Sequence, residues 1–178
     1  MSHPSLETRQ KPSAASTLLL LVGVAIVVGG LLALYHALGI SIAMTAFGSL
    51  FLLYWAGIQH QSWPQFLPCL IGGTVGIALA WLLVEGPVRF GSVGLAGSLL
   101  VLIGVLFFYL RGEFGLLFHN GSMLFLLVAT IPELRVGTQA PVMILALAIG
   151  AAWIGVVSYI AAQVRTRLDG RAGLRSAR

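Results

Sequence analysis

The sequence predicts an all-α, polytopic membrane protein of about six transmembrane helices, and three observations lead to this fold class. Hydrophobic residues make up 58% of the 178 residues and charged residues only 8%, which is far from the balance of a soluble domain. The apolar residues lie in continuous runs near the roughly 20 residues that a helix needs to cross about 30 Å of hydrocarbon. Two of these runs also share a Gly-Ser pair at corresponding positions, which indicates an internal repeat.

Short polar breaks divide the chain into candidate crossings. These crossings cover residues 17–38, 40–59, 65–84, 91–110, 112–131 and 140–164. Apolar runs of this length, without strand-like alternation, favour helices over a β-barrel. The first run is longer than the apolar core of a signal peptide, about 7–15 residues, and no small-residue cleavage site clearly follows it. We therefore expect a retained span rather than a cleaved signal.

The positive charges lie mainly in the two tails. Arg9 and Lys11 precede the first crossing, and five arginines follow the last one, at Arg165, Arg167, Arg171, Arg175 and Arg178. Under the positive-inside rule both tails are predicted to be cytoplasmic, which an even number of crossings allows. Residues 1–16, with their Pro, Ser and Ala content, are predicted to be a disordered tail, and residues 165–178 a basic tail.

No formally charged side chain lies deep inside a predicted crossing, and Glu113, the second residue of the fifth crossing, lies at its edge. Proton relays, voltage sensors and many ion-coupled transporters keep a charged residue at membrane depth, so these classes are disfavoured. Membrane topology and attraction to anionic lipid explain the basic tails. We therefore expect membrane lipid as a partner and no nucleic acid.

The sequence offers little for catalysis or metal binding. Cys69 is the single cysteine and is expected to be a packing residue. His36, His60 and His119 fall at three different predicted depths, which argues against a shared metal or haem site. No Ser-His-Asp, Cys-His or paired-carboxylate arrangement occurs at a useful spacing. We predict no enzyme activity, no cofactor and no metal.

The internal repeat has a constant offset of 121 − 48 = 73 residues. This offset pairs Gly48 with Gly121 and Ser49 with Ser122, and it also relates Gly39 to Gly112 and Pro68 to Pro141. The two copies, residues 17–84 and 91–164, each hold three crossings, so the second would enter the membrane from the opposite side. That makes an inverted repeat about a pseudo-two-fold axis in the membrane plane. Coincidence between low-complexity apolar segments is the alternative.

The proposed axis places the second and fifth crossings together, with the two Gly-Ser pairs near mid-bilayer. The candidate solute-pathway residues are the hydrogen-bonding side chains of these crossings: Thr45, Ser49, His119, Asn120, Ser122 and Thr130. Alternatively, the serines only pack, and Phe47 and Tyr54 pack rather than form an aromatic constriction. The face formed by Gly72, Gly73 and Gly76 is interpreted as a helix or subunit contact.

The polar residues that open the fifth crossing permit two interpretations. His119 and Asn120 lie roughly 10 Å into the bilayer if the crossing begins at residue 112, and they then need partners or water. Alternatively, the crossing begins later and residues 111–121 are a re-entrant or interfacial segment. Either version requires shelter by protein or by a water-filled cavity.

Several patterns carry a family resemblance over residues 40–164. Phe47-Gly48 with Tyr54-Trp55-Ala56-Gly57, the Gly-rich span that ends at Ala80-Trp81, and Phe118, Gly121, Ala129 and Thr130 together resemble a bacterial inner-membrane family of unknown function with a two-repeat, six-span pattern. His119-Asn120-Gly121 resembles the motif of the His-Pro-Pro membrane family but lacks both prolines. The paired Gly-containing helices are similar to urea-transporter half-repeats. These resemblances imply a bacterial inner (cytoplasmic) membrane location and conduction of a small neutral solute.

Two function classes follow from these observations. The first is a channel or facilitator for a small, uncharged solute. The second is a structural or accessory subunit of a larger membrane complex, and in both cases we expect a homo-oligomer or a larger assembly. A cavity along the pseudo-two-fold axis would favour the first class, and a solid core with apolar flanks the second.

Overall fold

The computed structural model describes residues 13–135 and 139–176, and within these residues the fold is all-helical, as predicted. The helices are α1 (Ala14–Ala37), α2 (Thr45–Phe51), α3 (Phe66–Leu110), α4 (Asn120–Ala129), α5 (Pro132–Arg135) and α6 (Ala140–Ser176). Short 3-10 helices, Ile42–Met44 and Trp63–Gln65, precede α2 and α3, and α2 continues as a π-helix over Leu52–Ile58. The predicted disordered tail lies mostly outside the described residues, but α1 begins at Ala14, within it.

Helix α3 is a hairpin of two antiparallel arms, residues 66–90 and 92–110. Gly91 has φ 58° and ψ −139°, a conformation that is open to glycine and strained for other residues. The Ser98 hydroxyl lies 2.9 Å from the carbonyl oxygen of Leu82, sixteen residues earlier, so the second arm folds back along the first. A Cβ on Gly94 would lie 2.0 Å from the carbonyl oxygen of Gly86, so the arms meet backbone to backbone. The two arms correspond to the third and fourth predicted crossings.

Three helical segments in the described part of the chain are long and apolar enough to cross a membrane. They are Leu20–Ala37, Trp63–Leu110, which includes the hairpin, and Ala140–Arg167. Two shorter apolar helical segments, Ile42–Ile58 and Asn120–Ala129, lie within the second and fifth predicted crossings. The structure therefore contains several long apolar helices, and the two short ones lie where the sequence placed the candidate site.

The fifth predicted crossing, residues 112–131, is helical only from Asn120 to Ala129. Residues 111–117 form turns, and Gly112 and Phe114 have φ values of 68° and 55°, which are incompatible with a continuing right-handed helix. The continuous helix expected over this range is thus replaced by irregular chain followed by a short helix. The alternative in which the crossing begins later matches this geometry.

Side-chain contacts order the helices along the bundle. The Trp153 indole nitrogen donates to the Val27 carbonyl oxygen at 3.0 Å, and the Tyr35 hydroxyl donates to the Ala146 carbonyl, so α1 and α6 are antiparallel. α4 and α5 lie alongside the first arm of the hairpin and run parallel to it. His119, just before α4, contacts Pro68 near the start of the arm, and Arg135, at the end of α5, contacts Glu85 near its end. We call the end of the bundle at which the first hairpin arm begins the Phe66 end, and the end at which the two arms meet the Gly91 end.

The core lies where α2, α4, α6 and the first hairpin arm meet. Its largest fully buried side chains are contributed by five helices: Leu31, Tyr35, Phe47, Phe51, Trp55, Ile77, Phe125, Leu147 and Ile154. Large apolar side chains cover the outer surface as well, for example Leu20, Ile103 and Ile160. An apolar exterior around a packed core is the pattern expected of helices surrounded by lipid.

Candidate functional site

The His-Asn-Gly-Ser segment before the fifth apolar run is the N-terminal cap of α4. His119 is the N-cap residue in extended conformation, and its Nδ1 accepts a hydrogen bond of 3.0 Å from the Gly121 backbone N–H. The Ser122 Oγ accepts from the His119 backbone N–H at 2.8 Å, which completes a capping box. Because α4 begins against protein rather than in open water, its first N–H groups need such partners. The polar residues are therefore where the start of this helix requires them.

The ring of His119 connects three helices. Its Nε2 lies 2.9 Å from the carbonyl oxygen of Pro68 at the start of α3, and its Nδ1 lies 3.3 Å from the hydroxyl of Tyr54 in the π-helical part of α2. A carbonyl can only accept, so Nε2 carries the hydrogen and Nδ1 is the acceptor, which describes a neutral imidazole. The Tyr54 ring stacks on the imidazole with centroids 5.8 Å apart.

Glycine at position 72 makes room for this ring. A Cβ on Gly72 would lie 2.2 Å from the Nε2 of His119, well inside any allowed contact. The same face continues at Gly76, where a Cβ would lie 2.3 Å from the carbonyl oxygen of Ser122, and at Gly73, which faces Phe125 and Leu147. The interpretation of this glycine face as a helix contact is confirmed: the first arm of α3 receives α4 there.

Further hydrogen bonds extend from His119 toward the Phe66 end. The Gln59 side chain donates to the Tyr54 hydroxyl at 3.3 Å, and the Tyr109 hydroxyl donates to Oδ1 of Asn120. Tyr54 is only 2% exposed, whereas Asn120 is exposed. We call Tyr54, Gln59, His119 and Ser122 the His119 cluster; it is uncharged and offers both donors and acceptors.

The two Gly-Ser pairs lie at two helix crossings. In the first pair, a Cβ built on Gly150 would lie 2.4 Å from the Cα of Gly48, so α2 and α6 touch through their backbones. In the second pair, Ser122 is fully buried, its hydroxyl is held within the cap, and its carbonyl faces Gly76. Ser49 is half-buried. Both pairs therefore serve close helix packing in this conformation.

The remaining candidate residues are spread along the site. Thr45, at the start of α2, is 7% exposed, and its hydroxyl has no hydrogen-bond partner among the described residues. Thr130, at the opposite end of α4 from His119, donates to the Leu127 carbonyl at 2.7 Å. The structure thus brings His119, Asn120 and Ser122 together and leaves the two threonines apart from them.

Aromatic side chains fill the space between these polar groups. Phe47, Phe51 and Phe125 are each 0% exposed, and they come from α2 and α4. At the Phe66 end, Trp55 stacks edge-on against Trp63 and Phe66 and donates its indole N–H to the Ser62 carbonyl at 2.8 Å. The centre of the bundle is therefore packed rather than open in this conformation.

Sequence reasoning did not assign the partners of His119. In the sequence, Tyr54 is interpreted as a packing or constriction residue and belongs to the family motif, whereas Gln59, Tyr109 and the Pro68 carbonyl carry no signal of their own. Gly72 was singled out as part of a small-residue face, which located the contact but not the ring that occupies it. Within residues 13–135 and 139–176, no group of three or more His, Cys, Asp or Glu side chains could hold a metal ion.

The chain matches no model of a known protein family, no curated protein and no solved structure.

Proposed function

We propose that the protein resides in the bacterial inner membrane with both termini cytoplasmic and acts as a channel or facilitator for a small neutral solute. The observation that carries this proposal is the pair of short, irregular helices, α2 and α4, at the centre of the bundle. Interrupted helices at corresponding positions of two repeats are typical of the substrate sites of secondary transporters, where they line a sheltered cavity. α2 turns into a π-helix at Leu52, and α4 begins only at Asn120.

The proposal includes an inverted repeat of residues 17–84 and 91–164. Its support is a correspondence between two helix crossings: α2 meets α6 at Gly48 and Gly150, and α4 meets the first hairpin arm at Ser122 and Gly76. The 73-residue offset takes Gly48 to 48 + 73 = 121 and Gly150 to 150 − 73 = 77. Each lies within one residue of the observed partner, and this near-agreement supports an in-plane two-fold axis that exchanges the halves.

Direction along the chain also supports six alternating passes. Each pass runs between the Phe66 end and the Gly91 end, in the direction opposite to the pass before it. In chain order the passes are α1, the π-extended α2, the two hairpin arms, α4 with α5, and α6. α4 and α5 together extend from beside Pro68 to beside Glu85, so this interrupted segment follows the first arm over most of its length. The proposal places the Phe66 end, toward which both tails run, at the cytoplasmic face.

The chemistry of the site favours a neutral solute. A permeating molecule must exchange its hydration for groups on the protein, and here these are hydroxyls, an amide, a neutral imidazole and backbone carbonyls. Asn120 is exposed and would meet the solute first, followed by the His119 cluster, with Thr45, Ser49 and Thr130 further along. Phe47, Phe51 and Phe125 close the route in the conformation described, so conduction requires α2 and α4 to separate.

The second candidate function is that of a structural or accessory subunit of a larger membrane complex. The packed centre and the capping role of Ser122 favour it, because each accounts for a polar residue without a solute. In this case the serines and glycines position helices, and the apolar flanks bind other subunits, which also agrees with an expected homo-oligomer or larger assembly.

Solute uptake by purified protein in proteoliposomes distinguishes the two functions. We expect the unaltered protein to conduct at least one member of a panel of small neutral solutes, and Tyr54→Phe to lower that flux several-fold, because it removes one hydroxyl and keeps the ring. Tyr159→Phe, at an exposed position on α6, is the matched control and should leave flux unchanged. Folded protein without any flux would overturn the facilitator and favour the accessory subunit.

A further inference from the structure

A lateral groove lies between the two arms of the α3 hairpin, away from the His119 cluster. Its volume is about 340 Å³, within the range of about 300–1,000 Å³ that small-molecule sites occupy. Glycines from both arms, Gly86, Gly94 and Gly97, line it together with the apolar side chains of Trp81, Phe90 and Val93. We call it the hairpin groove.

The dimensions of the groove suit a single extended hydrocarbon chain. Along the first arm it extends from Trp81 to Phe90, nine residues, or about 14 Å at 1.5 Å per residue. One leaflet of a bilayer contributes about 15 Å of hydrocarbon, half of the usual 30 Å. An α-helix of the same length and about 10 Å in width would need roughly 1,100 Å³. A helix from a neighbouring subunit would therefore rest on this groove rather than fill it.

Charged side chains line the groove between Trp81 and Gly91. Glu85 receives two guanidinium groups, that of Arg89 at 3.3 Å and that of Arg135 at 3.4 Å, so the three side chains together carry one net positive charge. Arg89 binds Glu85 through Nε alone, lies over the Trp81 ring at 5.4 Å, and is 60% exposed. Arg89 lines the groove, its guanidinium lies beside Glu85 and Trp81, and a guanidinium group binds phosphate well.

We infer that the hairpin groove binds one phospholipid with an anionic headgroup, with its acyl chain along the glycines and its phosphate at Arg89. The apolar lining, the length of the groove and the net positive charge of Glu85, Arg89 and Arg135 all fit this single ligand. The inference rests on the membrane location proposed above and is independent of solute conduction.

Native mass spectrometry of the full chain, extracted from membranes and supplied with phosphatidylglycerol or phosphatidylcholine, tests the acyl-chain site. Gly97→Leu should lower the fraction of protein with bound phosphatidylglycerol at least fivefold, because the new side chain occupies the groove. A Cβ at Gly97 meets nothing within 4 Å, so the backbone leaves room for a side chain to begin there. Gly104→Leu on the same arm is equally unobstructed, lies outside the groove, and should bind lipid as the unaltered protein does.

A second pair of variants tests the headgroup. Arg89→Gln should weaken phosphatidylglycerol binding about fivefold, the effect of one basic residue at a membrane surface, and should abolish any preference over phosphatidylcholine. Arg111→Gln is the matched control, because Arg111 also pairs with a glutamate, Glu113, and also lies over an aromatic ring, that of Phe107. It lies at the opposite end of the second arm and should have no effect.

Three distinguishable outcomes would contradict the lipid site, the choice of ligand or the membrane location. Equal lipid binding by Gly97→Leu and Gly104→Leu would overturn the lipid site. A Gly97→Leu protein that keeps its lipid but forms a smaller oligomer than the unaltered protein would instead assign the groove to a second copy of the chain. Protein found only in the soluble fraction would overturn the membrane location itself.

Discussion

At the scale of single residues, His119 binds through both ring nitrogens to groups on different helices. Nδ1 completes the cap of α4, and Nε2 binds the carbonyl of Pro68, fifty-one residues earlier in the chain. A side chain that joins two helix starts in this way contributes to stability twice, once as a cap and once as a tertiary contact.

Replacing His119 should separate these two contributions. His119→Ala is expected to lower the free energy of unfolding by about 1–2 kcal/mol or more, because the cap and the Pro68 bond are both lost. His119→Asn should recover part of the loss, since asparagine is a strong N-cap residue. Thermal unfolding in detergent measures both, with His36→Ala at an exposed position as the control. Equal stability of His119→Ala and His36→Ala would contradict the role of the ring.

The glycine face of the first hairpin arm permits a second residue-scale prediction. Gly72→Ala should destabilise the protein by about 1–3 kcal/mol, the usual cost of overpacking, because its Cβ would lie 2.2 Å from His119. Gly104→Ala, where nothing lies within 4 Å, should be neutral or stabilise by up to about 1 kcal/mol through helix propensity. Thermal unfolding measures the stability of the two variants. A Gly72→Ala protein as stable as Gly104→Ala would refute the close contact between Gly72 and His119.

At the scale of elements, the sharp reversal at Gly91 determines how the hairpin forms. Its φ of 58° with ψ of −139° lies in a region that side chains other than glycine enter only with strain. The close approach of Gly86 and Gly94 beyond the turn depends on this reversal, because both arms leave it side by side. The hairpin groove is a direct product of the same geometry.

Gly91→Ala should therefore destabilise the folded protein by about 1–3 kcal/mol, although nothing lies within 4 Å of its missing Cβ. Gly115→Ala, in the turn segment before α4, is a suitable control because Gly115 is also unobstructed and does not have a positive φ. Both variants can be compared by thermal unfolding and by yield of folded protein. A stable Gly91→Ala protein would show that another backbone conformation can close the hairpin.

The all-helical fold and the turn near Gly91 could be predicted from the sequence, because they follow from composition and from the short polar break between two apolar runs. The start of α4 could not. A capping box is usually read from serine or threonine at the N-cap and glutamate or glutamine three residues later, whereas here His119 is the N-cap and Ser122 follows. The contacts of His119 with Pro68 and Tyr54 depend on tertiary packing, for which no local pattern exists.

At the scale of the whole molecule, the alternating passes predict which parts of the chain share a side of the membrane. If both tails are cytoplasmic, as proposed, a cysteine introduced at Val88, which is 76% exposed near the Gly91 end and outside the hairpin groove, should react with an impermeant reagent added outside intact cells. A cysteine at Arg171 should react only after permeabilisation. The native Cys69 is buried and should contribute little background. The reverse pattern of labelling would invert the proposed orientation.

The bonds between α1 and α6 have a consequence for synthesis. Val27 and Tyr35 bind partners that lie 126 and 111 residues later in the chain, so α1 can pack on α2 early but can form these two bonds only after the last helix has been made. At a translation rate of about 5–20 residues per second, Val27 waits roughly 6–25 s before Trp153 has been added. Throughout that interval the first helix stands in the lipid without these partners. Ribosome stalling before residue 146 should therefore leave a chain whose first helix is inserted but accessible to proteases and membrane chaperones.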